Sequence, residues 1–183
     1  MTYSTNPIQS MITEIHKDLL KVTEGVICHQ VNCLGAVGGL SNDIAKKWPK
    51  NKDEYKQYVW DTAAKEGNAV FSLGKVCDVQ VEPNLYIANL FGQYDYGRDY
   101  RRTEYCALQS ALTRVKNKIY DSTVTGCVAT FIGLEDFNIP LKDIYIPKWM
   151  GCGLGGGDWN IVLDIINKVF DSSDKNVYIC EFK

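Results

Sequence analysis

The sequence predicts an α/β domain: a central sheet with helices against both of its faces. Three observations carry that expectation. The chain has 183 residues, 45% apolar and 23% charged, which suits one globular domain with a sizeable core. Short apolar runs alternate with amphipathic stretches along its length, as they do in α/β folds. Two glycine-rich stretches, "NCLGAVGGLSND" (32–43) and "GCGLGGGDW" (151–159), each lie between an apolar run and a helical pattern. In α/β folds that is where ligands bind, at the carboxyl ends of strands.

In chain order, strands are expected over "MITEIH" (11–16), "GVICHQVN" (25–32), "GKVCDVQV" (74–81), "NLYIANLF" (84–91), "TVTGCVATFI" (123–132), "DIYIPKW" (143–149) and "NVYICEF" (176–182). "GVIC" and "DIYI" are continuously apolar, as strands buried on both faces are. Helices are expected over 41–48, with Ser41 as its N-cap, then 52–66, 103–119 and 158–170. In the third, Tyr105, Leu108, Leu112, Val115 and Ile119 recur at three and four and define one apolar face. In the last, Asp158 is placed as N-cap, and Ile161, Leu163, Ile165, Ile166, Val169 and Phe170 form a broad stripe that "DSSDKN" (171–176) ends. No repeat, low-complexity tract or linker interrupts the pattern, so one domain over 1–183 is expected.

Composition narrows the function classes. Lys plus Arg is 20 and Asp plus Glu is 22, a net charge of −2 that does not call for a nucleic-acid backbone as partner. "GRDYRR" (97–102) is the one short cationic stretch, so nucleic acid is expected only as a modified substrate. Seven scattered cysteines with no C-x-x-C spacing indicate reduced thiols in a cytoplasm, not a disulfide framework or a zinc site. With His16 and His29 the only histidines, a His-rich metal cluster is excluded, and no metal is expected. The N-terminus lacks the pattern of a signal peptide, and no apolar run is long enough for a membrane span.

The glycine loops point to a phosphate. Unpaired amides at a helix N-terminus, aided by the helix dipole, hold an anion without any basic side chain. Five glycines in "GCGLGGG" exceed what a tight turn needs. Neither loop carries the Lys-Ser/Thr of a Walker A motif, which argues against an NTPase. Gly151, Gly153 and Gly156 satisfy G-x-G-x-x-G, but only Glu181 is available as the ribose-binding acid, which leaves a nicotinamide-dependent dehydrogenase as a lesser alternative. Two glycine loops suit a central diphosphate, and Asn32 at a strand end suits sugar hydroxyls or an Asx-turn.

Four ordered stretches together resemble the macro domain family. "ICHQVNCLGAVGGLSNDIAKKWP" resembles its first ligand loop, and "IPKWMGCGLGGGDW" its second. "KDLLKVTEGVICHQVN" is similar to the family's G-D-L-L opening, with Lys17 in place of glycine, and "NLFGQYDYGR" (89–98) to a stretch of bacterial members. The resemblance implies a three-layer α/β/α fold with a central mixed sheet, binding ADP-ribose without metal or cofactor. It places Asp18, with Leu19 beside it, at the adenine, and Asn32 at the distal ribose. Gly35, Gly38, Gly39, Leu40 and Ser41 fall around the distal ribose and its phosphate. Gly151, Cys152, Gly153, Leu154, Gly155, Gly156, Gly157 and Asp158 fall around the diphosphate. Leu40-Ser41-Asn42 departs from the usual small pair after Gly39.

Within the family, the chain looks most like the branch holding the ADP-ribose 1″-phosphate phosphatase and the terminal ADP-ribose glycohydrolase. The stretch from His29 to Gly39 matches the phosphatase side, with His29 as candidate acid–base group, Asn32 orienting water, and Asp158 a further candidate. The glycohydrolase reading needs an Asp where Gly155 stands and a lysine absent from 89–102. A monomer that hydrolyses ADP-ribose 1″-phosphate is therefore expected. The alternatives are a non-catalytic reader, or a hydrolase that removes ADP-ribose from protein or nucleic acid.

Overall fold

The computed structural model describes residues 11–123 and 138–181. In chain order these form β1 (Met11–His16), β2 (Gly25–Asn32), α1 (Leu40–Lys47), α2 (Pro49–Glu66), β3 (Val76–Glu82), β4 (Leu85–Gln93), α3 (Tyr105–Asn117), β5 (Asp121–Thr123), β6 (Asn138–Pro140), β7 (Asp143–Pro147), α4 (Trp159–Phe170) and β8 (Asn176–Glu181). Six strands make one mixed sheet in the order β1-β8-β7-β2-β4-β3, parallel except for β3 against β4. The strand expected over "TVTGCVATFI" lies, apart from Thr123, outside the described residues.

Alternation along the strands divides the core between two faces. Val26 and Cys28 of β2 pack with Ala88, Leu90, Ile144 and Ile146 under α3 and α4, which contribute Leu108, Leu112, Val162 and Ile166. Ile27 faces the other way, onto Ile44 and Trp48 at α1, and Val31 packs with Tyr55 and Val59 of α2. The result is the three-layer α/β/α arrangement with helices on both sides of a mixed sheet.

Several boundaries differ from the sequence expectation, those around the glycine loops and helices for local reasons. Gly39, at φ 50°, turns the chain into α1 and its carbonyl accepts from Asn42 N–H at 3.0 Å; Ser41 lies inside the first turn and is not the cap. α2 opens at Pro49, whose fixed φ and missing N–H suit a first helical position. Thr103 pairs with Gln93 in an isolated antiparallel bridge, so α3 starts at Tyr105; it stops at Asn117, leaving Ile119 outside the helix and exposed. β7 ends at Pro147, whose carbonyl accepts from Met150 N–H at 3.1 Å and closes a turn around Trp149.

Candidate functional site

A cavity of about 680 Å³ opens at the carboxyl ends of β2, β4 and β7, the three neighbouring parallel strands of the sheet. That is a usual volume for a small-molecule site. The first glycine loop, the second glycine loop and residues 96–98 form its walls. The loops converge: Leu154 Cδ1 lies 3.3 Å from where Gly38 would carry a Cβ.

The first loop is shaped by Asn32. Its Oδ1 accepts from Leu34 N–H at 3.0 Å and Ala36 N–H at 3.1 Å, and its Nδ2 donates to Ala36 O at 2.8 Å. Tyr55 of α2 donates to Asn32 O at 2.6 Å. This is the Asx-turn use of the residue. It leaves the amides of Val37, Gly38, Gly39 and Leu40 lining the cavity with no hydrogen-bond partner among the described residues.

The second loop sorts its amides the same way. Cys152 N–H donates to Trp149 O at 2.9 Å, Gly156 N–H to Gly153 O at 3.1 Å and Gly157 N–H to Gly151 O at 2.9 Å. Asp158 N–H donates to Tyr105 Oη at 2.9 Å, and its Oδ1 caps α4 by accepting from Asn160 N–H at 2.8 Å. The residues whose amides stay unpartnered among the described residues, Gly151, Gly153, Leu154 and Gly155, are those that line the cavity. Two runs of residues with unpartnered N–H groups thus line one space, a concavity suited to an anion with more than one phosphate.

Of the residues expected at the site, His29, Asn32, Gly38, Gly39, Leu40, Ser41, Gly151, Gly153, Leu154 and Gly155 line the cavity. The others do not. Asp18 accepts from Leu20 N–H at 2.9 Å and caps a short 3-10 turn, while Leu19 is fully buried against the α1 side of the core. Gly35 faces the Lys56 stem, and Cys152, Gly156, Gly157 and Asp158 are turned into the loop's own hydrogen bonds.

His29 sits at the cavity floor, 2% exposed, in a polar network under α2. Asn89 Nδ2 donates to Asn51 Oδ1 at 2.8 Å and to Cys77 O at 3.0 Å. Asn89 Oδ1 must therefore face the imidazole, and His29 Nε2–H donates to it at 2.7 Å. Nδ1 is then a buried acceptor with no partner among the described residues. Burial lowers the pKa from an ordinary 6.5 to about 4, against the smaller opposing effect of the Asn89 hydrogen bond. At neutral pH the ring is uncharged and its one N–H is committed to Asn89, so the acid half of the expected acid–base role is missing; Nδ1 remains as an acceptor.

Residues 94–102 build the remaining wall. Arg102 is buried, paired with Asp95 and Asp99 and stacked over the Tyr100 ring, and this clasp brings Tyr96, Gly97 and Arg98 to the cavity. Arg98 is exposed and makes no ion pair among the described residues. Lys148, also at the cavity, is committed to Glu14 at 3.2 Å and Glu181 at 3.3 Å, and both hold its pKa above the usual lysine value. Trp149 lines the rim at φ 68°, a left-handed backbone that a bulky residue rarely adopts, and packs against Trp159 with ring centroids 5.6 Å apart. Among the described residues, no group of three His, Cys, Asp or Glu side chains is placed to hold a metal.

No family profile matches the chain, and no curated protein does. Solved structures do. A Bacteroides thetaiotaomicron protein of unknown function is 26% identical, with a TM-score of 0.70 over 94% of this chain and 98% of its own. A macrodomain protein from Streptomyces coelicolor is 25% identical, with a TM-score of 0.65 over 94% and 98%. Thermosipho africanus DarTG, solved in complex with ADP-ribose, is 14% identical, with a TM-score of 0.67 over 96% of this chain and 42% of its own. The fold is that of the macrodomains.

Proposed function

We propose that the cavity binds ADP-ribose or a derivative of it, with the diphosphate between the two glycine loops. The observation that carries this reading is that unpartnered amides from both loops belong to residues lining the cavity: Val37 to Leu40 in the first, and Gly151, Gly153, Leu154 and Gly155 in the second. An amide with no internal partner at the mouth of a 680 Å³ cavity is a donor held ready for an anion. Arg98 supplies a cation beside it, and Tyr96 and Trp149 supply aromatic faces at the rim for a base. A structural neighbour that holds ADP-ribose supports the choice among diphosphate ligands. A cytoplasmic setting suits the six described cysteines, all of them free.

A second reading is hydrolysis of the terminal phosphate of ADP-ribose 1″-phosphate, with the loop amides taking up the charge that develops on phosphorus-bound oxygen. His29, the residue expected to act on the attacking water, keeps Nδ1 without a partner among the described residues but closed off from solvent. A base of such low pKa is a weak one, and Asn32 and Asp158 are already spent on local turns, so slow turnover is expected. Calorimetric titration with ADP-ribose tests the binding reading. Phosphate release from ADP-ribose 1″-phosphate by the same sample separates a phosphatase from a reader. No heat of binding at millimolar ADP-ribose overturns both.

A further inference from the structure

We infer that Thr103 is the positioning residue of the anion cradle, a template around which the second glycine loop is wound; the inference rests on reading that loop as the diphosphate site. Thr103 is fully buried and belongs to neither loop. Its Oγ1 donates to Gly151 O at 2.7 Å, and its own N–H, with that of Arg102, donates to Gly155 O at 3.0 and 2.8 Å. Oγ1 in turn accepts from Gln30 Nε2 at 2.9 Å, and the same Nε2 donates to Gln93 Oε1 at 2.7 Å. One side chain thereby ties β2, the end of β4, residues 94–102 and the glycine loop together.

The ties matter because an amide cradle holds an anion only while its carbonyls point elsewhere. Thr103 and Arg102 engage the carbonyls of Gly151 and Gly155, two acceptors that stand within the run of bare amides. The contact also divides the glycines by purpose. A Cβ at Gly155 would collide with Thr103 Oγ1, and one at Gly151 would lie 2.6 Å from Gln30 Oε1 and 3.0 Å from Thr103 Oγ1. These two are glycine to admit Thr103 and Gln30. At Gly153 a Cβ would meet no protein atom within 4 Å, and this residue lines the cavity. Gly153 is where bare backbone serves the ligand.

The test compares Thr103→Val, which keeps the shape and removes the hydroxyl, with Thr103→Ser, which restores it. Two readouts are taken: hydrogen exchange of the Gly156 and Gly157 amides in the free protein, and affinity for ADP-ribose. Thr103→Val is expected to speed exchange about tenfold or more and to weaken binding about 10- to 100-fold, a range set by the loss of one buried hydrogen bond with its partners left unpaired. Thr103→Ser is expected to return both toward wild type. Wild-type exchange in Thr103→Val, or failure of Ser to rescue, overturns the inference. Should Val prevent folding, Gln30→Met replaces it, since it removes the bond that aims the hydroxyl, and it must shift both readouts in the same direction. A wild type that does not bind ADP-ribose defeats the proposed function alone, because the exchange measurement still decides the role of Thr103.

Discussion

His29 sets the sharpest pH test. The imidazole is enclosed beneath α2 with Nε2–H donated to Asn89 and Nδ1 bare, and it takes up a proton only near pH 4 instead of 6.5. Because the unfolded chain binds that proton more readily, stability is complete above the unfolded pKa and is lost as pH falls from about 6.5 toward 4. Between about pH 8 and pH 5 the folding equilibrium gives up a factor of about 30, or about 2 kcal/mol. Urea unfolding of the wild type and of His29→Gln at both pH values reads this directly. Gln keeps a donor for Asn89 and has no proton to bind, so the variant is expected to lack about 2 kcal/mol of the wild type's acid-induced loss. Equal losses in the two proteins would refute the enclosed neutral ring, and with it the argument that His29 is uncharged at neutral pH.

Gly153→Leu is expected to leave the melting temperature within about 2 °C of wild type, since its side chain meets only open space, and to weaken ADP-ribose binding at least about 100-fold. Gly156→Leu should do the opposite, lowering the melting temperature clearly, because that residue has φ +65° and a Cβ there would lie 3.4 Å from Arg101 Cα, while the residue does not line the cavity. Asp158→Ala removes the α4 cap and should cost about 1 kcal/mol in urea unfolding, with affinity unchanged within about twofold if its carboxylate is only a cap. Arg98→Ala should weaken ADP-ribose binding about three- to tenfold at low salt, and the gap should narrow as salt is added; a salt-independent gap would mean that Arg98 acts by packing.

Element order and facing were legible because they rest on local periodicity. The apolar spacing of α3 and α4 and the unbroken "GVIC" and "DIYI" runs place helices and strands wherever a core is to be built. The convergence of the two glycine loops was legible too, since both follow parallel strands of one sheet. What was not legible depends on contacts between distant segments. Thr103 reads as the first residue of a helix until its pairing with Gln93 is known, and Gln30 reads as one more strand residue until the glycines of the second loop close over it. The same distance effect hides the part that Gly156 and Gly157 play in the loop itself: their composition suggests a cradle, while their amides bond to Gly153 O and Gly151 O. Asp18 and Leu19, assigned to the adenine by resemblance, cap a turn and pack in the core, roles that only the folded chain displays.

The pairing of Trp149 with Trp159 has a practical consequence. One indole is half in solvent on the cavity rim, and the other opens the helix that Asp158 caps, so the two emit from within reach of whatever occupies the loop between them. Trp48 is buried beneath α1 and Trp60 stands in open solvent on α2, where each contributes a steady background. With Trp60 replaced by Phe, the protein becomes its own unlabelled indicator of occupancy, and the arrival of a ligand is visible in the light the molecule already gives off.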